Sequence, residues 1–324
     1  MWEIGIGECL PRDAVYMNES KGTDKRTANA FAQSWNNLPE GSVYTKDQFL
    51  DWLEPVSEEQ VRNKTVLELG CGNGSLLVHM LDWNPAQLTG VDLGDSVRAA
   101  RNNLDSLGKG NWVVRQNDLT TFDSGGCDLV YCIGVIHHLR EPVKGFEALV
   151  RNVKPGGAFH GWVYAREGNG VIVWLVDPLR KIACRFPWWF NKYMIATPLA
   201  APFFLYAHAL RLFRWAPGVR LLPLFDYCQW IAKREFAFFR HVAFDQLVTP
   251  QTVYIRKETI EDWMRSHPDV DEKTCYVHMR NGNSWKFGGR TKKDVALPDG
   301  RPLRDSGRTD VGNRAQGCEE VNKI

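Results

Sequence analysis

Ten consecutive residues, Val66-Leu67-Glu68-Leu69-Gly70-Cys71-Gly72-Asn73-Gly74-Ser75, form the first arrangement in the chain suited to holding a ligand. A short apolar run ends on an acid, glycines follow at every second position, and Ser75 opens the amphipathic run Leu76, Leu77, Met80, Leu81. This pattern reads as strand, tight turn and helix. Glycine admits positive φ and lets a ligand lie against the backbone. The helix start turns free N–H groups toward the same space, while Glu68 adds a charge that a phosphate site would reject. The expected ligand is therefore polar but not phosphate-rich.

Asp92 lies 22 residues after Gly70, at the end of the next apolar run, where a carboxylate can accept the hydroxyl protons of a ribose. Its plainer reading is a helix cap beside Asp95 and Ser96. Asp118, within Asn117-Asp118-Leu119, follows the third strand and suits an exocyclic adenine amine. A nucleoside ligand leaves two cofactor classes. A dinucleotide fingerprint wants Gly or Ala at the sixth position counted from Gly70, and Ser75 stands there. Glycines at positions one, three and five behind an acid suit a cationic nucleoside instead.

These residues need a frame. From residue 65 the pattern alternates: strands at 65–69, 86–92, 111–115, 127–133 and 158–164, with helices at 75–83, 95–107 and 141–153. Strands alternating with helices imply βαβ units, hence a doubly wound α/β fold with a mostly parallel sheet. Ligands in such folds lie at the carboxyl ends of the strands. A late helix around 259–264 and a hairpin, Cys275–Met279 against Ser284–Phe287 through Asn281-Gly282-Asn283, would close the sheet.

Taken in order, Val66 to Gly74, Gly90-Val91-Asp92-Leu93, Asn117-Asp118-Leu119, Cys127-Asp128-Leu129-Val130 with Val135-Ile136-His137-His138-Leu139, and Val153-Lys154-Pro155-Gly156-Gly157 resemble the motif set of class I S-adenosylmethionine-dependent methyltransferases, of the UbiE/UbiG-like small-molecule kind. The resemblance covers residues 61–165 and, more loosely, 245–290. It implies S-adenosyl-L-methionine as cofactor. Glu68, Gly70, Cys71, Gly72, Asn73 and Gly74 would lie around its methionine part. Asp92 and Leu93 would meet the ribose, Asn117, Asp118 and Leu119 the adenine, and Gly134 and Val135 the sulfonium.

His137, at the end of the fourth strand, is the candidate general base for a hydroxyl acceptor, against the plainer reading of a packing residue at a helix start. Tyr164, Arg166 and Glu167 after the fifth strand, with Asp245 and Tyr254, are candidate acceptor contacts. Phe31 and Trp35, four apart, share a helix face that either packs on the sheet or caps the site.

Between 166 and 245 lies a segment the core fold does not need. Residues 171–240 hold 17 of the 38 aromatics and ten Lys/Arg against three acids, a local excess of +7 that leaves −5 for the rest of a chain whose net charge is +2. Ile195 to Leu210 is uncharged but short of the about 20 apolar residues of a span, and it contains Pro198 and Pro202. We expect a helical lid, with three readings: its own small core or a homodimer contact, a pocket for a lipophilic or lipid-linked acceptor, or contact with a membrane surface. Nucleic acid is disfavoured because no RNA-binding motif accompanies the rings. A glycan or other polar acceptor, a different group transfer, and a cofactor-binding protein without turnover are the alternatives.

The division expected is 1–60 N-terminal helical cap, 61–165 cofactor core, 166–245 insertion, 246–290 end of the core sheet, and 291–324 disordered tail. Eight cysteines without CxxC or a Cys/His cluster argue for free thiols and no metal, and the first residues lack a leader pattern, so a cytoplasmic protein is expected, peripheral at the membrane if the insertion binds lipid.

Overall fold

The computed structural model describes residues 24–33 and 43–293. Seven strands, β1 Thr65–Leu69, β2 Gln87–Asp92, β3 Trp112–Gln116, β4 Cys127–Ile133, β5 Val153–Tyr164, β6 Val270–Arg280 and β7 Ser284–Thr291, form one sheet in the order β3-β2-β1-β4-β5-β7-β6. The first five are parallel, and β7 inserts antiparallel between β5 and β6. β5 begins at Val153, earlier than the expected residue 158, because the glycine-rich turn Lys154 to Gly157 is taken into the strand across a register shift opposite Cys127 and Leu129.

Side chains alternate across the central strands, so each face builds its own core. Leu67, Leu69, Val130 and Cys132 pack with helix α5 (Pro142–Arg151) and helix α11 (Lys257–Ser266) through Phe146, Leu149, Ile260 and Met264. On the other face, Val66, Leu129 and Tyr131 meet α2 (Lys46–Leu53), α3 (Ser75–Met80) and α4 (Val97–Asp105) through Phe49, Leu53, Leu77 and Leu104. The strand order reverses between β1 and β4, which opens a crevice at their carboxyl ends.

The insertion is wholly helical: α6 Gly170–Ala183, α7 Trp188–Phe190, a π-helical stretch Asn191–Ala196, α8 Thr197–Leu212, α9 Phe225–Ile231 and α10 Phe236–Val248. It has a core of its own, in which Ala200, Ala207 and Leu210 of α8 meet Cys228 and Ile231 of α9 and Phe239 of α10. Phe203 and Phe239 stack with centroids 5.4 Å apart. The uncharged run proves to be part of a longer helix, Trp188–Leu212, whose 25 residues are long and apolar enough to cross a membrane by length and composition.

A helix α1 covers residues 24–33; Trp35 and nearly all of the expected tail lie outside the described residues.

Candidate active site

The turn after β1 is built by three left-handed glycines, Gly70 (φ 81°), Gly72 (φ 51°) and Gly74 (φ 76°). At Gly70 a Cβ would stand 2.4 Å from the Cγ2 of Val135, so the glycine also lets the β1 and β4 loops close on each other. At Gly74, which caps α3, it would stand 3.0 Å from the Cβ of Ala100 on α4. Within the turn the Asn73 amide oxygen accepts hydrogen bonds from the Ser75 hydroxyl (2.6 Å) and backbone N–H (3.2 Å).

Asp92 is fastened from both sides: the Gly72 N–H donates to Oδ2 (2.9 Å) and the Gly94 N–H to Oδ1 (2.7 Å). Burial pushes its carboxyl above the usual range, and the two N–H bonds pull it partly back. Glu68, buried beneath the turn, accepts a hydrogen bond from the Tyr131 hydroxyl at 3.0 Å. Burial raises its carboxyl to about 8; the Tyr131 hydrogen bond offsets part of that rise and the neighbouring Asp92 adds to it. No cation pairs with Glu68 among the described residues, whereas a positively charged ligand in the turn would find a carboxylate beside it.

These residues face one cavity of about 410 Å³. Glu68, Gly70, Cys71, Gly72 and Asn73 line it at β1; Asp92 and Leu93 at β2; Asp118 and Leu119 after β3; Gly134 and Val135 after β4. Asp118 Oδ1 is bonded to the N–H (2.9 Å) and hydroxyl (2.7 Å) of Thr120, which fixes the loop. Gly74 and Asn117 do not line the wall; the first caps α3, and the second accepts the Asp118 N–H (2.8 Å) and so shapes that loop.

The same cavity continues under the insertion. Phe31 of α1, Tyr164 at the end of β5, Asp245 of α10 and Tyr254 all line it, so four separated candidates for acceptor contact meet on one wall system. α1 packs over Gly94, where a Cβ would stand 3.0 Å from the Ala28 carbonyl, and Phe31 lies 4.9 Å from the His138 ring; α1 is thus a cap on the crevice. Arg166 is exposed, and Glu167 accepts bonds from the Lys257 N–H (3.2 Å) and the Trp285 indole (3.0 Å), so neither reaches the cavity.

His137 is fully buried and sits behind the cavity wall, its ring 4.2 Å from those of His138 and Tyr164. Neither ring nitrogen has a hydrogen-bond partner among the described residues, and burial drives its basicity well below the ordinary range. The side chain that lines the cavity is His138, which contacts the Gln251 carbonyl and Thr252 hydroxyl at 3.1 Å and is held near 3 by burial.

Sequence reasoning missed Tyr44, Trp52, Trp162, Tyr227, Trp230 and Arg280, all in the wall. The two-residue period of β5 held a signal for one of them: Trp162 and Tyr164 share a strand face, with centroids 5.2 Å apart. It also missed Arg180 of α6, buried and bonded to the Gln246 carbonyl (2.6 Å) and amide oxygen (3.0 Å), the Tyr254 hydroxyl (3.1 Å) and Asp177 (2.9 Å). Arg180 ties α6 to α10 and to the segment entering α11.

Residues 67–159 match the family model described as a methyltransferase domain. Over 156 residues the chain is 30% identical to a ubiquinone biosynthesis O-methyltransferase of Hydrogenovibrio crunogenus, covering 46% of this chain and 62% of that protein. Over 115 residues it is 31% identical to a tRNA U34 carboxymethyltransferase of Campylobacter jejuni, covering 35% and 38%. A solved magnesium protoporphyrin IX methyltransferase from Synechocystis with bound SAH overlays 76% of this chain and 81% of its own at 15% identity and TM-score 0.42. The match makes residues 67–159 a methyltransferase domain, with S-adenosylmethionine as its cofactor. The chain spans less than two thirds of either relative.

Proposed function

We propose that the protein transfers a methyl group from S-adenosylmethionine to a small lipophilic or lipid-linked acceptor. The observation that carries this reading is the single cavity, whose polar end is the glycine turn with Glu68 and Asp92 and whose apolar end is roofed by the insertion. S-adenosylmethionine, when bound, supplies a methyl carbon made electrophilic by the sulfonium. The left-handed glycine turn offers it backbone without side chains, Glu68 offers a carboxylate to its cationic end, Asp92 meets the ribose, and Asp118 with Leu119 the adenine. The roof excludes water and holds the acceptor in line, which is most of what this transfer asks of a protein. For an acceptor that must lose a proton, we assign the base to Asp245, which lines the cavity, rather than to His137 behind its wall.

The roof also suggests where the acceptor comes from. Val171, Leu175 and Leu199 both line the cavity and are exposed, so its mouth lies on the insertion. Elsewhere on the insertion Trp174 (79% exposed), Trp215 (77%) and Leu221 (90%) stand out to solvent, the last two interleaved in sequence with Arg211, Arg214 and Arg220. Apolar side chains mixed with cations suit an anionic lipid surface. Since Leu199, Ala200 and Phe203 of α8 face the cavity, the long helix lies along the membrane rather than through it. We therefore propose an intracellular, peripherally bound enzyme; a second copy of the chain is the rival cover for this face.

A second reading rests on the relative named a tRNA carboxymethyltransferase, which speaks for a nucleic-acid acceptor and a different transferred group, and the basic insertion is compatible with it. Calorimetry with S-adenosylmethionine tests the cofactor site: tight binding lost in Asp92→Ala is expected, and no binding by the native protein sinks the proposal. Incubating a cell extract with the enzyme and isotopically labelled cofactor then identifies the product. Label in the organic-solvent fraction supports the lipophilic acceptor, and label in ribonuclease-sensitive material favours the second reading.

A further inference from the structure

We infer that the acceptor carries a carboxylate, recognised at a donor-lined subsite formed by Arg280, Trp52 and Trp162. The inference rests on the methyltransferase reading above and specifies the acceptor of that same cavity. All three residues line the cavity and all are at least nine-tenths buried. They come from three distant parts of the chain: Trp52 from α2, Trp162 from β5 and Arg280 from the end of β6.

The three form one cluster. The Trp52 and Trp162 ring centroids are 6.0 Å apart, and the Arg280 guanidinium carbon lies 5.9 Å from the Trp52 ring. Neither indole N–H has a hydrogen-bond partner among the described residues. Buried donors are seldom left unpaired, so two in one cavity wall need an explanation. Arg280 donates from Nε (2.9 Å) and Nη2 to the single oxygen Oδ2 of Asp51, and Nη1 has no partner among the described residues. The cluster is thus rich in N–H donors; the Asp51 carboxylate is already engaged by Arg280, and the hydroxyls of Tyr44 and Tyr164, whose rings pack on Trp52 (4.7 Å) and Trp162 (5.2 Å), can themselves donate. A group with several acceptor lone pairs and no hydrogen to donate fits it, and a carboxylate is the ordinary group of that kind.

The rest of the ligand is set by what adjoins the cluster. Arg280 lies 5.2 Å from the Trp230 ring, and Trp230 opens onto the apolar roof of Phe203 and Phe239. Trp162 approaches to 3.6 Å the place a Cβ would take on Gly134. An acid group held here therefore lies beside the β4 loop with its apolar body under the insertion. The cofactor's own amino-acid carboxylate is the other source of the same chemistry, and the experiment has to separate them.

Dodecanoate and dodecanol, matched in chain length, are titrated into native protein saturated with S-adenosylhomocysteine, and into Trp52→Phe, Trp162→Phe and Arg280→Gln. The Trp→Phe changes keep a ring and remove only the N–H, so they stand if Arg280→Gln fails to fold. We expect the native protein to prefer the acid at least tenfold, and each variant to lose most of that preference while its affinity for S-adenosylhomocysteine stays within twofold. Equal binding of acid and alcohol by the native protein overturns the subsite. Loss of S-adenosylhomocysteine affinity in the variants overturns it too, because the carboxylate is then the cofactor's. Failure of native protein to bind S-adenosylhomocysteine at all would instead remove the methyltransferase reading.

Discussion

Tyr131 of β4 donates its hydroxyl hydrogen to Glu68 of β1 at 3.0 Å, between residues that are register partners in the parallel sheet. The pair lies under the glycine turn with both side chains buried, and burial leaves the Glu68 carboxyl protonated at neutral pH, since its pKa is about 8. A cationic ligand above it favours the ionised form, so binding releases a proton below that value. The affinity for S-adenosylmethionine should then rise with pH and level off above about 8, falling by at most about tenfold per unit below it. Calorimetry in buffers of different ionisation enthalpy reads the proton released. Glu68→Gln should bind more weakly and show no such slope; an unchanged slope would place the titrating group elsewhere.

The same group sets a trend in the empty protein. Its folded pKa lies above the unfolded value of 4.5, so the folded state holds a proton the unfolded chain has lost. This contribution to stability is lost as pH rises from the unfolded value through about 8. Denaturant midpoints without cofactor should decline over that window, and less so for Glu68→Gln.

Gly70→Ala tests the turn. The left-handed φ and the 2.4 Å approach to Val135 combine, and we expect a loss of about 2–4 kcal/mol with cofactor binding abolished. Adding Val135→Ala should recover part of the stability, because it removes the clash and leaves the backbone strain. Full recovery of the double variant would show that the φ requirement is unimportant.

Arg180→Met should loosen the roof. It leaves the Gln246 backbone carbonyl and the Tyr254 hydroxyl without the donor Arg180 supplies, at a cost of about 1–3 kcal/mol. Limited proteolysis should then cut between Gly170 and Val248 faster than in the native protein, with the fragments 43–165 and 255–293 protected to a similar extent as before. Uniform acceleration along the chain would mean that Arg180 supports the whole fold.

Trp174→Glu with Leu221→Glu addresses the exposed apolar side chains of the insertion, both of which stand in solvent. Flotation with vesicles containing phosphatidylserine should fall by at least about tenfold, with the fold unchanged by circular dichroism. Added salt should weaken native binding through the arginines. Unchanged flotation, together with a shift from dimer to monomer in the native-to-variant comparison, would assign the face to a second copy of the chain.

The doubly wound core was legible in the sequence because its signals are local. Apolar runs ending at Glu68, Asp92 and Ile133, amphipathic helices between them and glycines at the turn are each set by a few neighbouring residues, and their order along the chain fixes the topology. Even the β6–β7 hairpin announced itself through Asn281-Gly282-Asn283, which the structure turns with Asn281 and Gly282 at positive φ. The acceptor side was far less visible. His137 stood at the right strand end, but whether its ring or that of His138 reaches the cavity depends on one residue of rotation in a short 3-10 turn, Ile136–His138.

What the sequence determined alone, then, is the class of core and the glycine turn, since the conformation of Gly70 to Gly74 and the fastening of Asp92 depend on a few neighbouring residues. What only the tertiary structure decided is the wall that faces the acceptor. Trp52, Trp162, Arg280 and Tyr254 are brought together from α2, β5, β6 and the segment before α11, and no local period links them. Their meeting follows from the antiparallel placement of β7 between β5 and β6, and from the helical insertion folding back over the ends of the strands, both of which are products of long-range packing.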